Sequence, residues 1–421
     1  MLEKEIIHRE RKVLGLVGSA HFFSHFYLLS LPMMFLAIKA NFGVSFTELG
    51  FITALYAITS GLGQYPVGVY ADRYGPRWFI IGGLFMVCGS FILMGFSQSY
   101  WQLVALAIVA GIGDSVFHPC DLTVITNSVD QKRMGRSFAA HTFLGFLGFA
   151  AAPLIVGPMR MHWDWRVTAI SIGIAGMVLV LILILNQGSL AVEKKIGEAD
   201  KGSQPNDQVN AIQFLKSLPI FTLFMFYVAA ALGSVGIQQF SPAALPMLYG
   251  VDETTAGRAL SFFISGIAVG ILVGGYVADK ISKVELVSMV GYFVAANMVL
   301  IVAFVVMPFY LVVGALFVAG FSTGMVFPSR DMLVRSVTPK ESSGKAFGFV
   351  NSGFSYGWFF GPILFGWIMD AGYVSGVYFT SSVFMILVVL AALMAGHFAR
   401  RQIAVQTSPV KSTEISSGAA E

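Results

Sequence analysis

Twelve apolar stretches, each long enough to cross a lipid bilayer as a helix, dominate this chain of 421 residues. A helix needs about 20 apolar residues to cross the bilayer, and lipid offers no hydrogen-bond partner to an unpaired backbone group. A membrane barrel would need alternating strands of about ten residues, and the sequence lacks that pattern. We therefore predict an all-α membrane protein whose spans 1 to 12 cover residues 14–38, 46–71, 77–96, 101–126, 136–158, 165–186, 219–247, 255–279, 284–307, 309–334, 345–368 and 374–398.

The composition agrees with a lipid bilayer as the main surroundings of the chain. Only 11 % of the residues are charged and the mean hydropathy is +0.77, whereas soluble domains carry about 25 % charged residues. Cys88 and Cys120 both fall inside predicted spans, which indicates free thiols rather than a disulfide scaffold. The net charge of +4 is small, and no nucleic-acid partner is expected.

The distribution of basic residues predicts the orientation in the membrane. If the N-terminus is cytoplasmic, all but four of the 26 basic residues fall in cytoplasmic segments; the four are Lys39, Arg160, Arg166 and Arg258. This bias places both termini on the cytoplasmic side of the membrane, which we expect to be the inner membrane of a bacterium. The predicted parts are an N-terminal segment (1–13), a six-helix bundle (14–186), a cytoplasmic linker (187–215), a second bundle (216–398) and a disordered tail (399–421).

The two predicted bundles repeat the same motifs in the same order. A shift of 207 residues brings Gly68, Asp72 and Arg73 onto Gly275, Asp279 and Lys280. A shift of 209 residues aligns "GRSF" at Gly135 with "GKAF" at Gly344, and Pro153 with Pro362. Parallel repeats related by an axis along the membrane normal are one plan of secondary transporters, with the solute site at the interface of the halves.

The loop between spans 2 and 3 carries a family resemblance. Gly68, Asp72, Arg73, Gly75 and Arg77 follow the pattern Gly, three residues, Asp-Arg, one residue, Gly and a nearby basic residue. In this loop and in its layout the chain resembles the major facilitator superfamily. The resemblance implies twelve helices in two pseudo-symmetric bundles, alternating access, a small-molecule substrate and a functional monomer.

Spans 4 and 5 resemble a narrower group. "GIGDSVFHP" followed by "GRSFAAHTFLGFLGFAAAPLI" is similar to bacterial fosmidomycin-resistance-type drug exporters. The chain departs from those exporters after the His-Pro pair, where Cys120 and Asp121 replace the usual Glu and Thr123 replaces an Arg. It also has Ala107 at the position where drug–proton antiporters carry an Arg, and Ser24 and His25 in span 1 in place of an Asn-Asp pair.

The Gly68–Arg77 loop is either a solvated turn or a conformational latch, and we favour the latch. The start of span 11, near Ser343, should expose backbone amides and a positive dipole end on the same side of the membrane, where a carboxylate is stabilised by about 0.3–1 kcal/mol. Asp72 would clamp the halves there, and Asp279 against the start of span 5 would mirror it. The predicted latch therefore comprises Gly68, Asp72, Arg73, Gly75, Arg77, Gly275, Asp279 and Lys280.

Span 4 carries three ionisable residues on one predicted helical face, Asp114, His118 and Asp121. Each costs about 2.5–3.5 kcal/mol in a span, so they should face the central cavity, with Asp114 the first choice for a proton or substrate contact. An Asp-His network that only orients the helix is the alternative. Asp121 aligns with Arg330 in the repeat, which predicts an ion pair closing the inner gate; Arg330 could instead bind an anion or pair with Asp331.

Further polar side chains are candidates for the cavity. His21 and His25 share a face of span 1, and with His118 and His141 they suggest proton handling; their loose spacing does not predict a metal site. Pro153 and Pro362 predict helix bends within "G-xxx-[AG]-P-xxx-G", either for function or for kinked packing. The other candidate cavity residues are Ser24, Tyr27, Gln238, Gln239, Asn351, Ser355 and Tyr356.

These patterns predict a secondary active transporter of a small organic solute, with proton-coupled export by antiport favoured over uptake. The alternative is an organic-anion carrier, a symporter or exchanger, that uses Arg330; a channel or a membrane-embedded enzyme has less support. The sequence has no phosphate loop ending in Gly-Lys-Ser/Thr and no nucleophile–base pair. We therefore predict no cofactor, no metal and no enzymatic activity.

Overall fold

The computed structural model describes residues 2–192, 217–281, 283–336 and 343–407, and these residues form helices with no strand among them. The helices that form the twelve spans are, in chain order, Leu2–Ser30 with Phe35–Phe42, Phe46–Tyr74, Arg77–Met94, Tyr100–Asp114 with Phe117–Ser128, Met134–His162, Trp165–Leu185, Leu218–Tyr249, Glu253–Lys280, Val284–Phe304, Phe309–Ser336, Ser343–Asp370 and Gly376–Thr407.

The predicted all-α membrane fold is confirmed. Within the described ranges, ten helical segments are long and apolar enough to cross a membrane. Spans 2 and 11 are equally long helices but are more polar, and both run along the interface between the two halves. Span 12 extends as a helix to Thr407, beyond its predicted end at residue 398, so the first part of the predicted tail is helical. Most of the predicted linker and the last fourteen residues lie outside the described part of the chain.

Two spans are interrupted where the sequence weakens the helix. In span 1 the turn Pro32–Met34 is a 3-10 segment, because a proline cannot donate the backbone hydrogen bond that would continue the helix. In span 4 the helix is distorted after Gly111, Gly113 and Asp114, which are poor helix formers. The Ser115 hydroxyl donates to the carbonyl oxygen of Ile112 at 2.7 Å and so competes with the backbone.

The two halves meet through a reciprocal pair of glycine–proline contacts. Gly50 of span 2 lies against the carbonyl oxygen of Pro362 in span 11, and Gly257 of span 8 lies near Pro153 in span 5. The two glycines are 207 residues apart in the sequence and the two prolines are 209 residues apart. The predicted repeat is therefore expressed in the packing, and each predicted helix-bend proline contacts the opposite half.

We call the membrane face at which the chain begins the terminal face, and the face with residues 43–45, 163–164, 250–252 and 371–375 the far face. The halves are joined near the far face, where the Ser261 hydroxyl of span 8 donates to the carbonyl oxygen of Ala150 in span 5 at 2.8 Å. At the terminal face, Asp72 and Arg73 are exposed at the end of span 2. The halves are thus closed toward the far face.

Candidate functional site

Asp114 is held at the junction of spans 1, 2 and 4. The Ser24 hydroxyl donates to Asp114 Oδ1 at 2.5 Å, and the Ser60 hydroxyl donates to Asp114 Oδ2 at 2.7 Å. Span 2 can approach span 4 this closely because Gly111 and Gly63 leave room for side chains and backbone of the neighbouring helix. The carboxyl group therefore has a hydrogen-bond donor on each oxygen, one from each neighbouring span.

Four histidines form a contiguous group beside Asp114, which we call the histidine cluster: His21, His25, His118 and His141. The ring of His21 stacks on His141 at a centroid distance of 4.0 Å and lies 4.3 Å from His25 and 5.3 Å from His118. Gly145 of span 5 makes this possible, because a Cβ there would lie 2.6 Å from His21 Nε2. His118 is exposed while His21 and His141 are buried, so the cluster leads from an open surface into the N-terminal half.

Asp121 lies at the buried end of the histidine cluster, with no exposed surface. Its Oδ2 lies 3.5 Å from His21 Nδ1 and 3.7 Å from His141 Nε2, and neither carboxylate oxygen receives a hydrogen bond in the described part of the chain. The helix is interrupted at Ser115, between Asp114 and the other two residues, so the three ionisable residues of span 4 have different surroundings rather than the single uniform stripe that regular spacing predicts. Asp114 faces two serines, His118 faces open space and Asp121 faces two imidazoles.

Arg330 of span 10 is a buried cation of the C-terminal half, with only 8 % of its surface exposed. Its Nε lies 3.1 Å from Asp331 Oδ1, an oxygen that also accepts a 2.8 Å hydrogen bond from the Tyr227 hydroxyl. The guanidinium carbon lies 4.1–4.9 Å from the ring centroids of Phe327, Tyr227 and Phe354. Nη1 is buried and donates no hydrogen bond to any residue that the structure describes. Of the roles that the sequence left open for Arg330, the contact with Asp331 is the one formed in this conformation.

An aromatic layer, Phe146, Phe149, Phe327 and Trp358, separates the histidine cluster from Arg330. Phe149 lies 4.1 Å from the ring of His25 and stacks parallel to Trp358 at 6.3 Å. Phe146 contacts Phe327, and Phe327 contacts the Arg330 guanidinium. The proposed gate pair, Asp121 and Arg330, thus lies on opposite sides of this layer, and each member has other neighbours in this conformation.

The remaining predicted cavity residues lie in three different environments. Gln239 is buried between the halves, where its Oε1 accepts a 2.7 Å hydrogen bond from the Thr53 hydroxyl of span 2; Gln238 is buried beside it, and Ser355 lies close to Gly61 of span 2. Asn351 and Tyr356 are exposed on span 11. Tyr27 is instead in the core of the N-terminal half, where its hydroxyl donates to the carbonyl oxygen of Ile172, so it does not line a cavity.

The predicted latch is only partly described. Gly75 ends span 2 with φ of +86°, a value that favours glycine, and Gly68 packs near Pro119. Arg73 and Arg77 lie over the rings of Tyr74 and Trp78, and Lys280 lies over Tyr276. The Asp279 side chain and residues 337–342 lie outside the described residues, so the latch contacts of Asp72 and Asp279 stay a prediction.

Two further polar contacts were not predicted from the sequence. Asp370 at the far end of span 11 accepts hydrogen bonds from the backbone amides of Phe46 and Thr47 in span 2, both at 2.8 Å. Glu10 in the first helix accepts hydrogen bonds from Arg133 at 2.7 and 2.8 Å. Neither contact had a sequence signal, because the burial of Glu10 follows only from the fold and Asp370 is a single acidic residue at the end of span 11.

Comparisons with known proteins agree with this architecture. The sequence profile of the Major Facilitator Superfamily matches residues 17–248 and 228–416. The chain is 28 % identical to the probable L-galactonate transporter of Escherichia coli (strain K12) over 268 residues, which is 60 % of this chain and 58 % of that relative, so the match spans less than two thirds of it. It is 26 % identical to the membrane sensor protein UhpC of Salmonella typhimurium (strain LT2) over 76 % of each chain.

A third relative and a solved structure complete the comparison. The fosmidomycin resistance protein of Escherichia coli (strain K12) is 24 % identical over 64 % of this chain and 66 % of the relative. A bacterial homologue of the human lysosomal transporter Spinster, solved in an inward-facing and unoccupied conformation, superimposes with a TM-score of 0.75 at 16 % identity, over 95 % of this chain and 99 % of that one. The chain is a multi-pass membrane protein, a transporter rather than an enzyme, and it belongs to the Major Facilitator Superfamily.

Proposed function

We propose that this protein is a proton-coupled secondary transporter whose solute is a small organic anion. The observation that carries the proposal is the buried guanidinium of Arg330, whose Nη1 has no hydrogen-bond partner in the described part of the chain. A buried cation is costly unless it is paired and its donors are satisfied. The neighbouring Asp331 is exposed and engages only the Nε side of the guanidinium. A solute carboxylate could accept hydrogen bonds from the remaining N–H groups, since the planar guanidinium binds carboxylates through two parallel hydrogen bonds.

The aromatic neighbours of Arg330 support the same site. Phe327, Tyr227 and Phe354 surround the guanidinium with rings, which orient a cation without neutralising it. Tyr227 also fixes Asp331 through its hydroxyl. Because Asp331 engages only Nε, the Nη1 side of the guanidinium stays available for a small anion, and the probable L-galactonate transporter among the relatives makes a sugar acid the first class of solute to test.

Protons are proposed to enter through Asp114 and the histidine cluster. Asp114 is ionisable, half-buried and held by two serine hydroxyls that can also accept from a protonated carboxyl. His118 is exposed next to it and offers the open end of the path. Ionisable groups inside a span are energetically costly and usually mark ion pathways. In this proposal the polar interior of the N-terminal half carries protons, and the cation of the C-terminal half binds the solute.

Because basic residues concentrate on the cytoplasmic side of membrane proteins, we assign the terminal face to the cytoplasm. The closed far face is then the outer face, and this conformation is open toward the inside. One chain carries both halves of the transport unit, so a monomer in the bacterial inner membrane is the proposed working form. Rocking of the halves about the reciprocal glycine–proline contacts would expose the site alternately to each side. Asp72 and Asp279 would then close the terminal face.

A second candidate is proton-coupled export of hydrophobic compounds by antiport. The aromatic layer of Phe146, Phe149, Phe327 and Trp358 between the two charged regions favours it, because planar apolar solutes stack on such rings. The fosmidomycin resistance protein among the relatives and the pattern in spans 4 and 5 favour the same direction. The two candidates differ in whether Arg330 is needed.

The test uses purified protein in proteoliposomes that contain a fluorescent pH indicator. Sugar acids, other small carboxylates and hydrophobic drugs are added one at a time, with and without a proton gradient. We expect the internal pH to change when a carboxylate is added, and the sign of that change distinguishes symport from antiport. We expect Arg330→Gln to abolish the pH change. The matched control is Arg335→Gln, an exposed arginine of the same span. A response to drugs alone that survives Arg330→Gln would contradict the anion proposal and support the second candidate.

A further inference from the structure

Spans 1, 4 and 5 bring three metal-ligating side chains together at one buried point. His21, Asp121 and His141 each offer one ligand atom, and these atoms all lie within 4.8 Å of one another. Asp121 Oδ2 is the central atom, 3.5 Å from His21 Nδ1 and 3.7 Å from His141 Nε2. Ligand atoms about 2.0–2.1 Å from one tetrahedral ion lie roughly 3.3 Å apart, so small side-chain adjustments would suffice to enclose an ion.

Most of the polar atoms of this group form no hydrogen bond with any residue that the structure describes. Asp121 has no exposed surface, and both of its carboxylate oxygens lack a hydrogen-bond donor among the described residues. His21 Nδ1, one of the candidate ligand atoms, is likewise buried and unpartnered. A buried carboxylate without donors is strongly disfavoured. A cation bound between the carboxylate and the two imidazoles would remove this cost.

We infer that His21, Asp121 and His141 form a binding site for a divalent transition-metal ion, with Zn²⁺ the best fit. Two imidazoles and one carboxylate suit zinc and related first-row ions, whereas calcium and magnesium prefer sets made only of oxygen ligands. The spacing of the histidines in the sequence predicted no metal, because Asp121 and His141 belong to other spans and only folding brings them to His21. A water molecule completes a four-coordinate ion.

The ion has a route to the site from open solvent. His118 is exposed, and its ring lies 5.3 Å from the ring of His21 and 6.0 Å from that of His25. An ion arriving from the terminal side can therefore meet one accessible imidazole before it reaches the three ligands. Because a bound ion ties spans 1, 4 and 5 together, it would hold the N-terminal half in one arrangement, independently of which solute the protein carries.

The experiment measures Zn²⁺ binding to the purified full-length protein by titration calorimetry, and Co²⁺ binding by its visible absorption. We expect one bound ion and the intense absorption of tetrahedral Co²⁺. Asp121→Asn and His141→Gln should each weaken binding by at least about 10–100-fold, the loss that follows when even an outer-shell partner of a metal site is removed. His162→Gln, which alters an exposed histidine at the end of the same span, should leave binding unchanged.

A rescue variant keeps the test decisive if a ligand variant folds poorly. His141→Cys retains a zinc ligand and should bind Zn²⁺, with a charge-transfer band from the Co²⁺–thiolate bond. No binding by the wild-type protein, or equal binding by wild type, Asp121→Asn and His141→Gln, would overturn the proposal. Because the readout is ion binding by the purified protein, failure here leaves the transport proposal untouched, and a failed transport assay leaves the metal site untouched.

Discussion

Gly50 of span 2 packs directly against the carbonyl oxygen of Pro362 in span 11, so the backbones of the two halves touch where both helices approach the far face. A side-chain methyl group at Gly50 would overlap backbone atoms that cannot move aside independently. The related contact is looser, because a Cβ at Gly257 would lie 2.9 Å from the flexible end of Met33 and 3.2 Å from the carbonyl oxygen of Pro153. The two repeats thus differ in how tightly they close the same face.

We predict that Gly50→Ala destabilises the conformation closed toward the far face, by about 1–3 kcal/mol, the usual cost of overpacking. Hydrogen exchange of the first turns of span 2 should become faster. Gly257→Ala, the matched control, should change exchange less, because the Met33 side chain can rotate away. Equal effects of the two substitutions would mean that the Pro362 contact does not limit opening.

Asp370 makes a second contact between the halves at the far face. It caps the first turn of span 2 from the other half by accepting hydrogen bonds from the amides of Phe46 and Thr47. Removing a capping side chain costs about 0.5–2 kcal/mol. We predict that Asp370→Ala shifts the protein toward the state open at the far face, measured as faster alkylation of a cysteine introduced at Met33, which is buried near Gly257 of the other half.

The control for that experiment is Asp252→Ala. Asp252 accepts hydrogen bonds from Thr255 at 2.9 and 2.6 Å, but it caps its own span and joins no second half. It should therefore fray span 8 locally without opening the far face. If Asp252→Ala accelerates alkylation at position 33 as much as Asp370→Ala does, the inter-half cap is not the cause.

The membrane fold could be read from the sequence because apolar length and the repeat are local properties. Span 2 begins at Phe46 as predicted and ends at Tyr74, three residues beyond its predicted end, and the ends of most other spans shift by only a few residues. The environments of Asp114, His118 and Asp121 could not be read in this way, because regular helical spacing assumes a helix that continues through Ser115. The helix is interrupted there, because the Ser115 hydroxyl competes for a backbone carbonyl oxygen and the two preceding glycines are poor helix formers.

Contacts between segments that are far apart in the sequence could not be predicted either. Tyr27 shares the polar character of Ser24 three positions earlier, yet it points into the core, because Ile172 offers it a carbonyl oxygen there. The capping of span 2 by Asp370 joins residues 324 positions apart, and no periodicity encodes such a pairing. Which of the three roles of Arg330 operates in this conformation likewise depends on Tyr227 and Phe354 from other spans.

Asp114 is expected to carry the coupled proton. Asp114→Asn preserves the shape of the side chain and the contacts with Ser24 and Ser60, but it removes the titratable group. We predict that this variant loses proton movement in the pH-indicator assay, while exchange of labelled for unlabelled solute continues. Ser60→Ala is the matched comparison, because it removes one hydrogen bond of Asp114 and leaves the carboxyl group. Proton movement that persists in Asp114→Asn would assign coupling to another group.

The Asp121–Arg330 gate pair requires a conformation other than this one. The aromatic layer now separates the two residues, and Asp121 contacts His21 and His141 while Arg330 contacts Asp331. Closing the terminal face would bring together the ends of spans 4 and 10, which the repeat relates by symmetry, so the pair can form only when the site is shut toward that face. We predict that Asp121→Arg and Arg330→Asp each abolish transport and that the double exchange restores part of it.

The double exchange also separates the gate from the two binding roles proposed for its members. Arg330 is needed for the anion and Asp121 for the metal ion, so the exchanged protein should not bind Zn²⁺ and should have a raised KM for the solute. Recovery of the maximal rate without recovery of KM is therefore the signature of a gate. An exchanged protein that stays as inactive as either single variant, although it reaches the membrane at normal levels, would show that the charges act separately and never meet.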